Sequence, residues 1–485
     1  MGSKLFKLLK VAVGLVLAAA LTFLAVRAYD ARRGAPLEPW HTFVPHELRA
    51  AELDQADWQR YLEAEDAIFE EVRANVTQRL GPEERVPANR YFADSPIYPG
   101  RFAQDWNRSV ILEPDGPPVG AVVLLHGLTD APYSQRHVAE SYRDHGFVAI
   151  VPRLPGHGTV PAGLTEVDWE DWAAATRLAV REARRRVGPG LPLQIVGFSN
   201  GGALAMKYAL DAIDDPTLPR AERIVLISPM IGVTSMAHFA GFAGLPALLP
   251  AFERAAWLSV LPEFNPFKYN SFPINGARQS SLLTRALQPR IARYAREGRL
   301  RDLPPILTFQ SLTDFTVSTQ AIVDALYAQL PENGSELVLF DLNRHTHFGP
   351  LLRPNIDTLL TRLLPPVPRH FSTTIVTNAD ADSREVVERI TPAGGTTEVV
   401  RPLGLDYPDE VFSLSHVALP FPMTDGLYGM TPDPADDFGV QLGAMAVRGE
   451  RATLIVSLDA LGRMSSNPFF PYLLGRIEEG TRPGP

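Results

Sequence analysis

Gly197-Phe198-Ser199-Asn200-Gly201, with Gly202 behind it, is a G-x-S-x-G run that can turn a serine into a nucleophile. The chemistry accounts for the residue types. An attacking hydroxyl has to stand on a sharp, strained turn, and a Cβ at position 197 or 201 would collide with the adjoining strand and helix. The N–H of Asn200, opening a helix, can then face an oxygen that gains negative charge. The plain structural alternative is a serine in a glycine-rich turn. The flanks argue against it. Residues 193–196 (LQIV) follow Pro192 as a short apolar run of strand type, and residues 203–210 (ALAMKYAL) are good helix formers.

Such a turn needs a sheet around it. Residues 109–112 open a first strand, and Asp115-Gly116 makes a turn. Residues 121–125 (AVVLL) form a continuous apolar run, as a parallel strand covered on both faces requires. That run leads into His126-Gly127-Leu128-Thr129-Asp130. A helical stretch over 138–145, a strand over 147–151, the loop 153–159 and a helix over 169–185 come next, and then the serine turn. Further strands are expected over 224–227, 305–310 and 336–340. Alternation of this kind predicts an α/β protein with a doubly wound, mostly parallel sheet.

Three segments, LLHGLTDAPYS, RLPGHGT and GFSNGG, together resemble the α/β-hydrolase superfamily. Within it the chain is similar to the bacterial carboxylesterase and monoacylglycerol lipase group, often filed with serine aminopeptidase-like hydrolases. The similarity runs over roughly residues 110–345. Asn200 stands where that group has methionine; the chemistry needs its backbone alone. The resemblance implies a Ser-Asp-His chain order. Asp314, just past the strand at 305–310, resembles the triad acid; its structural alternative is a helix N-cap. The base must follow it, and His345, His347, His370 and His416 are the candidates. His345 has the family's usual spacing after the acid. His416, in VFSLSHVALPF, also follows a strand-like run and resembles the family's terminal motif, and the stretch also resembles larger envelope hydrolases with an extra segment before this point. We expect His416 to be the base, residues 345–405 to be an excursion, and 467–479 to be the closing helix. The oxyanion would be held by the N–H groups of Leu128 and Asn200. His126 and His157 read as structural. Residues 229–300 fall where the fold carries an inserted helical cap. Phe239, Phe242, Leu245, Leu248, Leu249, Phe252, Trp257 and Leu258 make it apolar, which favours acyl chains; a packed helical core is the alternative.

Residues 11–26 are apolar and uncharged between Lys4, Lys7, Lys10 and Arg27, Arg32, Arg33. A cleaved secretory signal and an uncleaved anchor both fit. Arg27 lies where cleavage would be expected, so we expect a signal anchor over 1–35. The lysine-rich start points to a membrane-anchored body on the periplasmic side. Residues 36–108 form a helical preface, with Trp58, Tyr61, Leu62, Ile68, Phe69 and Val72 at helical spacing. The hydrolase domain then covers 109–485, with the cap, a late insertion at about 345–405 and a C-terminal extension. A net charge of −9 argues against a nucleic-acid partner. The absence of cysteine excludes disulfides and thiolate chemistry. No metal or cofactor motif is present, so no metal and no cofactor are expected. The expected function is hydrolysis of acylglycerol or other lipid-like esters through an acyl-enzyme. The alternatives are an acyltransferase on envelope lipids using the same triad, and a hydrolase-fold scaffold that has lost catalysis.

Overall fold

The computed structural model describes residues 2–33, 36–232, 250–345, 359–443 and 463–481. Among the described residues, twelve strands follow in chain order. They are β1 (Val110–Leu112), β2 (Gly120–Leu125), β3 (Phe147–Val151), β4 (Leu193–Phe198), β5 (Arg223–Ile227), β6 (Trp257–Ser259) and β7 (Phe272–Pro273). The remainder are β8 (Ile306–Ser311), β9 (Glu336–Phe340), β10 (Ser372–Asn378), β11 (Glu385–Thr391) and β12 (Val399–Asp406). Strands β6 and β7 pair with each other; the rest form one 10-stranded sheet in the order β1-β3-β2-β4-β5-β8-β9-β10-β11-β12. From β3 to β10 every neighbouring pair is parallel. The two ends of the sheet are antiparallel.

The apolar runs are explained by a sheet covered on both faces. Ala121, Val123 and Leu125 of β2 point into one core with the helices Trp169–Val187, Asn200–Asp214 and Ile274–Arg296. Val122 and Leu124 point the other way, into a core with the helices Arg136–Asp144 and Phe470–Glu478. Each large side chain buried there contributes about 1.5–3 kcal/mol of transfer free energy. The chain passes from β2 to β3 and then crosses back over β2 to β4, so β2 lies between them. This reversal opens a crevice at the carboxyl ends of β2 and β4, the place where such sheets bind ligands.

The preface packs as a helical element. Its helix Trp58–Asn75 is capped by Asp57, whose Oδ1 accepts the Arg60 N–H at 2.8 Å. Trp58, Tyr61, Ile68 and Val72 are buried. Fully buried Arg153 donates to Glu47 at 2.7 and 2.9 Å and to Glu65 at 3.1 Å. Glu47 also accepts the Gly156 N–H at 2.8 Å. The preface thus neutralises the cation inside the RLPGHGT loop and fixes that loop's shape.

Two stretches differ from expectation. Residues 372–406, expected within an excursion, extend the main sheet by β10, β11 and β12. Their sequence is rich in Thr, Arg and Glu because this end of the sheet is partly solvated, with β12 mostly exposed, so no apolar run marks them. Residues 411–415 have a strand-like composition but form a return loop. The apolar cap residues Phe239, Phe242, Leu245, Leu248 and Leu249 and the side chain of Phe252 lie outside what the structure describes. Of the rest, Trp257 is buried and Leu258 exposed, while the helix Ile274–Arg296 inserts Leu283, Leu287, Ile291 and Tyr294 into the main core. At the other end of the chain, residues Phe6–Val26 of the helix Gly2–Arg33 are long and apolar enough to cross a membrane, and none of this stretch is buried.

Candidate active site

Ser199 sits between β4 and the helix Asn200–Asp214, with φ 53° and ψ −113°. A non-glycine residue at positive φ costs about 1–3 kcal/mol, which the surroundings must overcome. They do so through the backbone: the Ser199 N–H donates to Ile227 O at 3.0 Å, and Ser199 O accepts from Met230 N at 2.9 Å. The glycines are needed for close approach. A Cβ at Gly197 would lie 2.4 Å from Gly201 O, and one at Gly201 would lie 2.1 Å from Leu125 O.

The His416 Nε2 is 3.0 Å from Ser199 Oγ, and its Nδ1 is 2.8 Å from Asp314 Oδ2. The carboxylate accepts the Nδ1 proton, which leaves Nε2 as an acceptor for the serine hydroxyl. Asp314 stands just past β8; its Oδ1 also accepts the N–H groups of Thr316 at 2.7 Å and Val317 at 3.0 Å. Burial alone would raise its pKa. The adjacent imidazole and the two N–H donors outweigh it and hold the carboxyl below its ordinary value. His416 is buried, with its ring 5.3 Å from that of Phe198.

The return loop delivers His416 by being stitched to the ends of β8 and β9. Tyr407 donates to Asp341 O at 2.9 Å, Asn343 Nδ2 donates to Pro408 O and Val411 O at 3.0 Å each, and Ser311 Oγ donates to Leu414 O at 2.7 Å. His345 makes no contact with Ser199 or Asp314; its N–H donates to Asn343 Oδ1. His370 is exposed on the approach to β10, and His347 lies outside the described residues.

The Asn200 N–H is the first of its helix, and Leu128 lies in the turn after β2, beside Thr129 at φ 64°. Neither N–H donates to an acceptor among the described residues. Both are free for an oxyanion. The Asn200 side chain is fully buried, and its Oδ1 accepts from Ser280 Oγ at 3.1 Å. Ser280 had no signal in the sequence, because its helix lies 80 positions away. His126 holds the loop after β2: its Nδ1 donates to Gly127 O at 2.9 Å and its Nε2 accepts the Leu154 N–H at 3.0 Å. Burial pushes its pKa down to about 3, so it is neutral. His157, also buried, has its pKa lowered by burial and by His126, and its Nδ1 donates to Pro155 O at 3.0 Å.

A further cluster escaped the sequence reading. Asp425 of the extension is fully buried and accepts from Tyr133 at 2.9 Å, Arg136 at 3.0 Å and His137 at 2.8 Å. Arg136 also pairs with Asp436. These contacts clamp the extension to the segment that follows the loop after β2.

Residues 116–349 match the family described as Serine aminopeptidase, S33. The match contains Ser199 and Asp314 and ends before His416. The chain is 35% identical over 92 residues to a thermostable monoacylglycerol lipase of Bacillus sp. (strain H-257), covering 19% of this chain and 35% of that protein. It is 24% identical over 147 residues to the phospholipase YtpA of Bacillus subtilis (strain 168), covering 30% of this chain and 54% of the relative. The chain therefore spans about a third to a half of the length of these curated relatives. A solved structure from work on LipS and LipT, two metagenome-derived lipolytic enzymes, is 21% identical and covers 49% of this chain and 88% of its own, with a TM-score of 0.38. Residues 116–349 thus resemble the serine aminopeptidase S33 family, and the sheet order and serine turn around them are those of an α/β-hydrolase fold.

Proposed function

We propose that the protein is a serine hydrolase that cleaves carboxylic esters of acylglycerol or lipid-like type. The observation that carries this reading is the continuous hydrogen-bonded line Ser199–His416–Asp314, 3.0 and 2.8 Å long at its two links. Ser199 Oγ attacks the ester carbonyl while His416 Nε2 takes its proton. Asp314 fixes the ring tautomer and stabilises the imidazolium. The Leu128 and Asn200 N–H groups hold the oxyanion, and each such donor is worth about 3 kcal/mol in the transition state. His416 then protonates the leaving alcohol, and water repeats the sequence on the acyl-enzyme. The lipid character of the substrate is supported by the names of the relatives and by the apolar cap sequence. The helix over Phe6–Val26 supports attachment to a membrane, with the body on the outer side of the lysine-rich start.

Fluorophosphonate labelling and p-nitrophenyl ester turnover test the chemistry. Both should be present in the native protein and absent from Ser199→Ala, which should unfold at the same temperature. Turnover that survives Ser199→Ala would place the nucleophile elsewhere.

A further inference from the structure

Beside the triad lies a cavity of about 170 Å³ whose walls include residues from beyond the family match. Phe198 and Phe264 line it together with Val417, Phe421, Tyr428 and Leu442 of the extension. The ring of Phe198, one of its walls, lies 5.3 Å from that of His416, which places the cavity next to the imidazole.

Part of its polar lining is engaged within the protein. Lys268 binds Asp130 at 3.1 Å, and Asn265 Nδ2 donates to the Tyr428 hydroxyl at 2.7 Å. Ser465 Oγ donates to Tyr428 O at 2.9 Å, and Arg463 donates to Thr316 Oγ1 at 3.0 Å. An apolar group finds aromatic and aliphatic walls in Phe198, Phe264, Val417, Phe421, Tyr428 and Leu442. The volume sets the size, since a cavity of about 150 Å³ holds one benzene ring.

We propose that this cavity is a subsite for one compact apolar group of the ester, an aromatic ring or an alkyl group of about six carbons. The proposal rests on the hydrolase reading. The group belongs either to the acyl side or to the alcohol side, and both present the same surface to these walls. The extension therefore sets substrate size as well as supplying the base.

The test compares kcat/KM of the full-length protein on two ester series. One lengthens the acyl chain of ethyl esters; the other lengthens the alcohol of acetate esters. In one series kcat/KM should rise about fourfold per methylene, as burial of each predicts, and stop rising near six carbons. The series that shows the break identifies which side enters. Leu442 is held through its backbone, its N–H donating to Leu427 O at 2.7 Å, so its side chain can be exchanged. Leu442→Trp should remove the rise, and Leu442→Ala should move the break to longer groups. The alanine variant decides the matter should the tryptophan variant not fold. Ester cleavage with no break in either series, or with breaks that ignore Leu442, overturns the subsite and leaves the hydrolase reading intact. A folded protein that cleaves neither series overturns both.

Discussion

His416 and Asp314 are 102 positions apart, and His416 and Ser199 are 217 apart, yet one imidazole bridges the two side chains. Geometry of this kind makes a sharp claim about single residues. His416→Ala should lower kcat by about four orders of magnitude or more on p-nitrophenyl esters. His345→Ala should stay within a few-fold of the native rate, because His345 touches neither partner. The reverse pattern would assign the base to His345. The serine and its acid were legible because each follows a strand whose apolar run can be read locally. His416 was legible as one of several histidines after Asp314. The phrase around His416 favoured it, although the strand expected before it is a loop.

At the scale of elements, the serine turn depends on backbone passing against backbone. Gly201 has no room for a side chain, since a Cβ would meet Leu125 O at 2.1 Å and neither group can rotate away. Gly201→Ala should therefore separate β2 from the Asn200–Asp214 helix, costing about 1–3 kcal/mol or more. It should reduce esterase activity beyond what the loss of stability explains; a thermal melt and kcat at a temperature below both melts read the two effects. The extension is held by a different device. Burial would raise the pKa of Asp425, but His137, Arg136 and backbone N–H donors bring it down to about 2. An unfolded aspartate titrates near about 3.9. With the folded value depressed, the contribution is complete above that pH and is lost as pH falls towards about 2. The difference is worth on the order of 2–3 kcal/mol. Urea unfolding from pH 6 to pH 3 should show the native protein losing its advantage over Asp425→Asn below about pH 4. A constant gap across that range would show that the clamp is not ionic.

On the scale of the whole molecule, the Phe6–Val26 helix contributes nothing to the core, as none of it is buried. Removing residues 2–35 should leave the melting temperature and ester turnover unchanged and shift the protein from the membrane pellet to the supernatant. A truncated form that still pellets would move the attachment to the body. The sequence by itself determined the parallel sheet and the serine turn. Strands buried on both faces must be continuously apolar, and a backbone crossing admits glycine alone, so both leave local marks. Tertiary structure decided which histidine reaches Ser199. After β9 the chain leaves at Asn343 to build β10, β11 and β12, and the loop 407–415 returns to bond with Asp341, Asn343 and Ser311. Those bonds join residues with no pattern in common along the chain. They exist because the return loop must satisfy its buried polar groups somewhere, and the ends of β8 and β9 offer the partners.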